Sequence, residues 1–321
     1  MFWASYCLAA LALVLAWPVP IALSRAKWPA RSPFTALVLW QAIALAGGLS
    51  MIGAMLTWGL EPLGPNLIDA LRGLGNILLN GAPATTLGLV HVFALSAAVL
   101  LTAHLLFTLL LTYYRIRRSR NRHRGMLTLL SSPSATRPAT VVINHPTPVA
   151  YCLPGGARSV TVLSDGLLDM LSDDELSAVL THEKAHLAQH HHLLLWAFAA
   201  WRAALPWLPT SQLAQQSVNE LIEMLADDDA LAQVPSETLV RAVAIVGTGA
   251  APTDRGIPAP TVSTPLLGSP DELEQLGTVH RLSRLLTPQP PLPAWQRTAV
   301  LLLSGLLLAV PTTLLVAPGI V

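Results

Sequence analysis

Two histidines four residues apart, with a glutamate beside the first, form the stretch of this chain with the clearest chemistry: His182-Glu183-Lys184-Ala185-His186. In an α-helix with 3.6 residues per turn, the two imidazoles are about 40° apart around the axis and can share one metal ion. Glu183 then lies beside the metal, where its carboxylate can take a proton from an attacking water molecule. The spacing is that of a catalytic zinc helix, although a solvated helix whose histidines do nothing could carry the same residues.

The helix that must carry this motif has a recognisable beginning. Ser172 can cap it, Glu175 completes a capping box three residues later, and the acidic residues between them suit the positive end of the helix dipole. Upstream, β-branched or apolar runs at residues 140–144, 150–153 and 159–163 are separated by turn residues. These runs predict a small sheet before the helix.

A catalytic zinc site needs three protein ligands and one open position. A later predicted helix offers two glutamates, and Glu223 is the one with an aspartate, Asp227, four residues further on. Asp227 would lie one turn beyond the ligand, where it can accept the second ring N–H of a zinc histidine. We therefore expect His182, His186 and Glu223 to bind one Zn²⁺ per chain, and we interpret Glu220 as a solvated or neighbouring group.

His192, six residues after His186, is the alternative third ligand. That arrangement needs a glycine three residues after the second histidine so that the chain can turn sharply, and Gln189 occupies this position. We interpret His190, His191 and His192 as a polar rim or as transient metal contacts.

The composition is that of an integral membrane protein with one moderate soluble domain. Of 321 residues, 53% are hydrophobic and 12% charged, and the mean hydropathy is +0.54. Four apolar runs are long enough to cross about 30 Å of hydrocarbon as helices: residues 2–23, 34–56, 87–114 and 299–316. Trp17-Pro18 and Pro20 predict a kink in the first run. A net charge of +1 gives no reason to expect direct nucleic acid binding.

Basic residues are unevenly distributed between the apolar runs. The first connection holds Arg25, Lys27 and Arg31, whereas residues 57–86 hold only Arg72. Six arginines follow the third run: Arg115, Arg117, Arg118, Arg120, Arg122 and Arg124. The positive-inside rule then puts the first and third connections in the cytosol and both chain termini outside, with the arginines also contacting anionic lipid.

These patterns divide the chain into three parts: a membrane domain over residues 1–115, a cytosolic domain over 116–293 and a last transmembrane helix over 294–321. Cys7 and Cys152 fall in different parts and are not expected to pair, which suits a reducing compartment.

Residues 193–208 are apolar but contain Arg202, and one crossing there would separate His186 from Glu223. We expect this segment to lie on the membrane surface, pack on the spans or form a core helix. Residues 247–270 predict a long loop.

The quoted motifs resemble a known family. His182-Glu183-x-x-His186 and Glu223-x-x-Ala226-Asp227, preceded by Val160–Ser164 and residues 171–176, resemble the BlaR/MecR-type integral-membrane metallopeptidases. They are similar more distantly to the membrane protease HtpX and the CAAX prenyl proteases. The resemblance covers residues 141–231 and, more weakly, 281–286.

This resemblance implies an α-helical membrane protein with about four transmembrane helices and a cytosolic α+β zincin-like (gluzincin) metallopeptidase domain. It also implies regulatory cleavage of a cytosolic transcriptional repressor, or self-cleavage near the arginine-rich segment. General quality control of membrane proteins is the other substrate class. In the sensor members a penicillin-binding domain follows the last span; with residues 317–321 in its place, we expect no β-lactam sensing by this chain itself.

The hypothesis is therefore a zinc endopeptidase with Glu183 as the general base and the lipid bilayer and a protein or peptide substrate as partners. A substrate strand could pair with the sheet edge near residues 150–153. Four residues are candidates for stabilising the oxyanion: His280, Arg281, Arg284 and Tyr151. The sequence does not give the oligomeric state.

Two other classes of protein share some of these features. One is a signalling or scaffold protein with a structural zinc site, but such sites are usually closed by four ligands. A transporter would need ionisable groups deep in the spans, where only His91 and His104 qualify.

Overall fold

The computed structural model describes residues 1–134, 138–153, 159–248 and 270–316. The chain forms two compact units. The first contains Met1–Tyr113, Trp196–Val218 and the C-terminal segment from Leu292, and the second contains Tyr114–Leu195 and Asn219–Pro291. The loop predicted at residues 247–270 falls largely outside the described residues.

Helices and strands follow one another in this order: α1 (Phe2–Ala16), α2 (Pro18–Ser24), α3 (Pro33–Leu60), α4 (Leu67–Asn80), α5 (Leu89–Leu130), β1 (Ser131–Pro133), β2 (Thr140–Ile143), β3 (Ala150–Leu153), β4 (Val160–Ser164), α6 (Asp165–Met170), α7 (Asp173–Ala188), α8 (His191–Ala204), α9 (Pro209–Leu231), α10 (Ser236–Thr248), α11 (Pro270–Leu286) and α12 (Ala294–Val316). Short 3₁₀ turns at Trp28–Arg31 and Glu61–Leu63 flank α3.

Four helical segments of the described chain are long and apolar enough to cross a membrane: Phe2–Ser24, Pro33–Leu63, Leu89–Leu127 and Ala294–Val316. They correspond to the four predicted runs and indicate a membrane protein. The predicted kink is confirmed, because α1 ends at Ala16 and α2 begins at Pro18, with Trp17 between them at φ −126° and ψ −72°. Proline lacks an amide hydrogen and disfavours helical backbone at the residue before it.

The connection between the second and third apolar runs contains a helix, α4, that was not predicted. Helix α4 begins where the Asn66 side chain accepts a hydrogen bond from the Asp69 N–H at 2.8 Å, and it ends at Gly81, which has a left-handed φ of 67°. Four of its apolar side chains are exposed, namely Ile68, Leu71, Leu78 and Leu79, whereas Ala70 is buried.

Helix α5 is also longer than predicted and continues through all six arginines to Leu130. Arginine is a good helix former and no proline interrupts this stretch, so the helix passes from apolar to basic sequence without a break.

Residues 193–208 form most of α8 and the turn that follows it. From Trp196 this segment belongs to the first unit, where the Trp196 indole N–H donates to the Leu109 carbonyl at 3.2 Å. The Thr210 hydroxyl, at the start of α9, donates to the Leu15 carbonyl at 2.8 Å. Of the three placements left open by the sequence, the structure has this segment packed on the apolar helices.

A four-stranded sheet in the order β1-β2-β4-β3 gives the second unit an α+β architecture. Strands β2 and β4 are parallel, β1 is antiparallel to β2, and β3 is antiparallel to β4. The three predicted strands are confirmed to within one residue, whereas β1 was not predicted. Strand β3 lies at an edge of the sheet.

Helix α7 packs on this sheet and on helix α10 through an apolar core. The predicted capping box is present, since the Glu175 N–H donates to the Ser172 hydroxyl and the Ser172 N–H donates to the Glu175 carboxylate. The core joins residues from β4, α6, α7, α9 and α10: Leu163, Leu167, Leu176, Val179, Ala230, Leu239 and Val243, among others. This packing fixes the helix that carries the two motif histidines.

Candidate metal centre

Three side chains of the second unit bring their donor atoms together. Nε2 of His182 lies 3.2 Å from Nε2 of His186. Of the two Glu223 oxygens, Oε2 lies 3.4 Å from Nε2 of His182 and Oε1 lies 3.4 Å from Nε2 of His186. Among the described residues, these three form the group that could hold a metal ion. Zinc bonds of about 2.0–2.2 Å in a tetrahedron place neighbouring donors about 3.3–3.6 Å apart. The observed distances are of this size, so the three side chains could share one zinc ion.

His182 is held from behind by a buried carboxylate. Oδ1 of Asp227 lies 3.1 Å from Nδ1 of His182, and the Asp227 side chain is 1% exposed. The Arg281 guanidinium donates to both Asp227 oxygens at 2.7 and 2.9 Å, and its Nη1 lies 2.8 Å from Glu223 Oε2. The contact between Nδ1 and Oδ1 has the distance of an ion pair but not the alignment of a hydrogen bond, so it is the charge of Asp227 that favours a proton on Nδ1 of His182 and leaves Nε2 as the ligand atom.

His186 has a different neighbour behind it. Nδ1 of His186 lies 3.0 Å from Nδ1 of His191, whose Nε2 lies 2.9 Å from Oε1 of Gln189. His191 is buried, with 2% of its surface exposed, whereas His190 is exposed and His192 is half-buried. The burial of His191 contradicts a place in a polar rim, and the alternative of a transient metal contact stays a prediction for this residue.

The charges in this cluster stabilise one another against the cost of burial. Burial opposes the charge of His182, but Asp227 and Glu223 outweigh it and raise the pKa of this imidazole to about 9. Burial likewise opposes the charge of Glu223, but His182 and Arg281 lower its pKa to about 2. Burial lowers the pKa of His186 to about 4. The cluster thus holds an anionic Glu223 against a neutral His186.

Glu183 points into the same site from α7. Its Oε2 accepts a hydrogen bond from the Cys152 N–H on the edge strand β3 at 3.3 Å. Burial, followed by the nearby charge of Glu223, raises the pKa of Glu183, although His182, the Cys152 N–H and Arg281 act in the opposite direction. A carboxylate with a raised pKa is a better proton acceptor for a water molecule beside it.

A cavity of about 390 Å³ opens next to these residues. His182, Glu183, Glu223 and Arg281 form its polar wall. The remaining wall is mostly aliphatic and comes largely from α10: Ala150, Val179, Leu239, Ala242, Val243, Val246, Gly247 and Thr278. The site therefore combines a group of metal-binding donors with space for an apolar side chain.

Arg281 is the oxyanion candidate whose side chain reaches the ligand atoms. The hydroxyl oxygen of Tyr151 instead lies 2.6 Å from Nε2 of His123, and its ring packs on a separate apolar cluster of Leu127, Leu153 and Val162. Arg284 donates two hydrogen bonds to Asp228, and His280 is exposed. The role of each candidate stays a prediction.

With this geometry in place, the chain can be compared with known proteins. Residues 115–243 match the model of Peptidase family M48. The matched segment includes both motif histidines, Glu183, Glu223 and Asp227, but not Arg281. No solved structure matches the chain. The family match supports a zinc metallopeptidase, a hydrolase whose peptidase domain accompanies four apolar helices.

The sequence did not predict that His191 contacts a ligand histidine. It also did not predict that Arg281 pairs with the carboxylates of the site. Arg281 was a candidate for the oxyanion, whereas its guanidinium pairs with Asp227 and Glu223. For His191, the sequence signal was the run of polar residues Gln189-His190-His191 directly after the zinc helix, which lies close enough along the chain to reach His186. A left-handed residue there, His190 at φ 53°, turns the chain back towards His186.

Proposed function

We propose that this protein is a membrane-embedded zinc metalloendopeptidase that hydrolyses peptide bonds on the cytosolic side of the membrane. One observation carries the proposal: the donors of His182, His186 and Glu223 are spaced for a tetrahedral metal ion, with Glu183 beside them and not among them. A fourth protein donor would suit a structural site, whereas three donors leave the fourth coordination position open for water or substrate.

Each residue has a part in the proposed reaction. Zinc bound at this site would polarise the peptide carbonyl and make water more acidic. Glu183 takes a proton from the attacking water and passes it to the amine that leaves. Asp227 holds His182 in the orientation in which Nε2 faces the site, and Arg281 keeps Asp227 and Glu223 ionised.

The edge strand supports binding of an extended peptide. The Val149 carbonyl accepts from the Ser164 N–H, and residues alternate along an antiparallel pair, so the backbone groups of Ala150 and Cys152 face away from β4. The Cys152 N–H donates to Glu183, which leaves the Cys152 carbonyl and the backbone groups of Ala150 for a substrate. A substrate could add to this edge as a further strand and place one side chain in the aliphatic cavity. Strand addition uses the backbone in mid-chain, which favours an endopeptidase.

The arginine distribution supports a cytosolic peptidase domain with both termini outside, by the positive-inside rule. The resemblance to the BlaR/MecR-type peptidases supports cleavage of a transcriptional repressor, or self-cleavage near the arginine-rich end of α5. A reporter fused after Arg124 tests the orientation, because an external signal there would reverse it.

The decisive experiment compares the purified wild type with Glu183→Gln. We expect both proteins to contain about one zinc per chain and only the wild type to cleave denatured casein or itself. Equal cleavage by both proteins would contradict the role of Glu183. A zinc-loaded pair that never cleaves, and that gives the same signalling output in cells, would instead support the alternative of a scaffold with structural zinc.

A further inference from the structure

The contact between His186 and His191 constrains where the protons of both rings lie. Their Nδ1 atoms are 3.0 Å apart, so one of these atoms donates a hydrogen bond and the other accepts it. The rings meet edge to face, with centroids 5.1 Å apart and planes at 77°. Because His191 is 2% exposed, water does not replace this contact.

Gln189 decides the direction of the bond. Its Oε1 lies 2.9 Å from Nε2 of His191 and can only accept, so the Nε2 of His191 carries a hydrogen. A neutral His191 then has a lone pair on Nδ1, which accepts from the Nδ1–H of His186. His186 is left with its lone pair on Nε2, the atom that lies 3.2 Å from His182 Nε2 and 3.4 Å from Glu223.

The reverse arrangement is incompatible with a metal ion. If Gln189 presented its amide nitrogen, His191 would donate from Nδ1 and His186 would carry its hydrogen on Nε2. That hydrogen would point at His182 Nε2 and Glu223, into the space between the ligand atoms. A tautomer with a free Nε2 is thus the one that the Gln189 carbonyl selects.

We propose that His191 is a positioning residue that, together with Gln189, holds His186 in the tautomer whose Nε2 can bind zinc. This inference rests on the proposed function, because it assumes that His182, His186 and Glu223 bind the metal. The two histidine ligands are then supported in different ways. An anionic Asp227 stands behind His182, and a neutral His191–Gln189 pair stands behind His186.

The local backbone brings His191 into this position. Helix α7 ends at Ala188, and His190 adopts a left-handed conformation with φ 53° before α8 begins at His191. Non-glycine residues adopt this conformation infrequently, and it folds the chain back so that residue 191 reaches residue 186. His192, one residue further along, is half-buried and serves as a matched control.

The test measures zinc affinity of the full chain in detergent, by competition with a chelating indicator. His191→Phe removes the acceptor and should weaken zinc binding about 10–100-fold. His191→Asn should restore most of that loss, because its Oδ1 occupies the place of Nδ1 and can accept from His186. His192→Phe should bind zinc like the wild type. Thermal unfolding of the metal-free proteins shows whether each variant still folds.

A second pair of variants tests Gln189. Gln189→Glu keeps an acceptor for His191 and should retain the affinity, whereas Gln189→Met removes it and should weaken binding several-fold. Wild-type affinity in His191→Phe would overturn the proposal, as would equal losses in His191→Phe and His191→Asn, which would indicate packing alone. A wild type that binds no zinc would overturn the proposed function itself, and this inference with it.

Discussion

The backbone N–H of Cys152 donates a hydrogen bond to Oε2 of Glu183 across 3.3 Å. This bond joins the open edge of the sheet to the residue proposed as general base, so the strand that would receive the substrate also orients the proton acceptor. It uses a backbone group that the β3–β4 ladder leaves free, because Cys152 and Thr161 form a pair without mutual hydrogen bonds.

Cys152→Pro removes this N–H, and an edge strand tolerates proline where the N–H faces outwards. A hydrogen bond to a charged group contributes about 1.5–3 kcal/mol, so we expect kcat/KM on denatured casein to fall about tenfold or more. Zinc content should not change. Cys152→Ala keeps the N–H and should cleave at nearly the wild-type rate; a proline variant as active as this control would contradict the orienting role.

Glu223→Gln tests the third ligand. Replacing the carboxylate removes an anionic oxygen from the group of donors, and we expect zinc affinity to fall by more than about 100-fold. This loss would exceed the roughly 10–100-fold loss of affinity that is typical when a residue that only orients a ligand is replaced. Glu220→Gln is the matched control, because it lies on the same helix and its side chain is exposed. Metal analysis after dialysis gives the result, and similar losses in both variants would remove the distinction between the two glutamates.

Asp227→Asn tests the carboxylate behind His182. The substitution keeps the size of the side chain but weakens its bonds to His182 and Arg281, and we expect a 10–100-fold lower zinc affinity with a lower melting temperature. Asp228→Asn breaks a more exposed pair with Arg284, which contributes about 1 kcal/mol or less. This control should bind zinc normally. If Asp228→Asn lost zinc as strongly, the effect would not depend on contact with His182.

The aliphatic cavity predicts a preference for apolar side chains. Val243→Ala enlarges the cavity, and we expect it to favour peptides with a bulkier residue next to the cleaved bond by about tenfold. Val240→Ala removes the same two methyl groups from the same helix, but its side chain lies in the core and not in the cavity wall. Mass spectrometry of the cleaved products measures the preference. The same shift in both variants would mean that stability, not cavity shape, determines it.

The sequence was a good guide where a local pattern determines the structure. The capping box at Ser172, the break at Trp17 and the three predicted strands depend on neighbouring residues, and all were predicted. The donor group could be predicted because helical spacing aligns His182 with His186, and the Glu223–Asp227 spacing marks the second helix.

Features that depend on tertiary contacts were not predicted. His191 becomes a neighbour of His186 because His190 adopts a left-handed conformation. Such a conformation is usually predicted from a glycine, and there is none at this position. Arg281 lies 54 residues from Asp227, so its two hydrogen bonds follow from the docking of α11 and not from spacing. Helix α4 has its own local signal, since its polar residues at positions 69, 72, 76 and 80 share one helical face.

Packing of α8 on the apolar helices gives a last prediction. A Cβ built on Gly48, in α3, would lie 3.0 Å from the Trp201 ring in α8, so this glycine allows the two helices to approach closely. Gly48→Leu should therefore displace Trp201 and lower the melting temperature in detergent by several degrees, because an overpacked core costs about 1–3 kcal/mol. Gly305→Leu adds the same side chain to apolar helix α12, where nothing lies within 4 Å, and should be tolerated. Adding Trp201→Ala to Gly48→Leu should recover part of the loss, since the smaller residue makes room for the leucine. A double variant no more stable than Gly48→Leu alone would show that the leucine acts elsewhere.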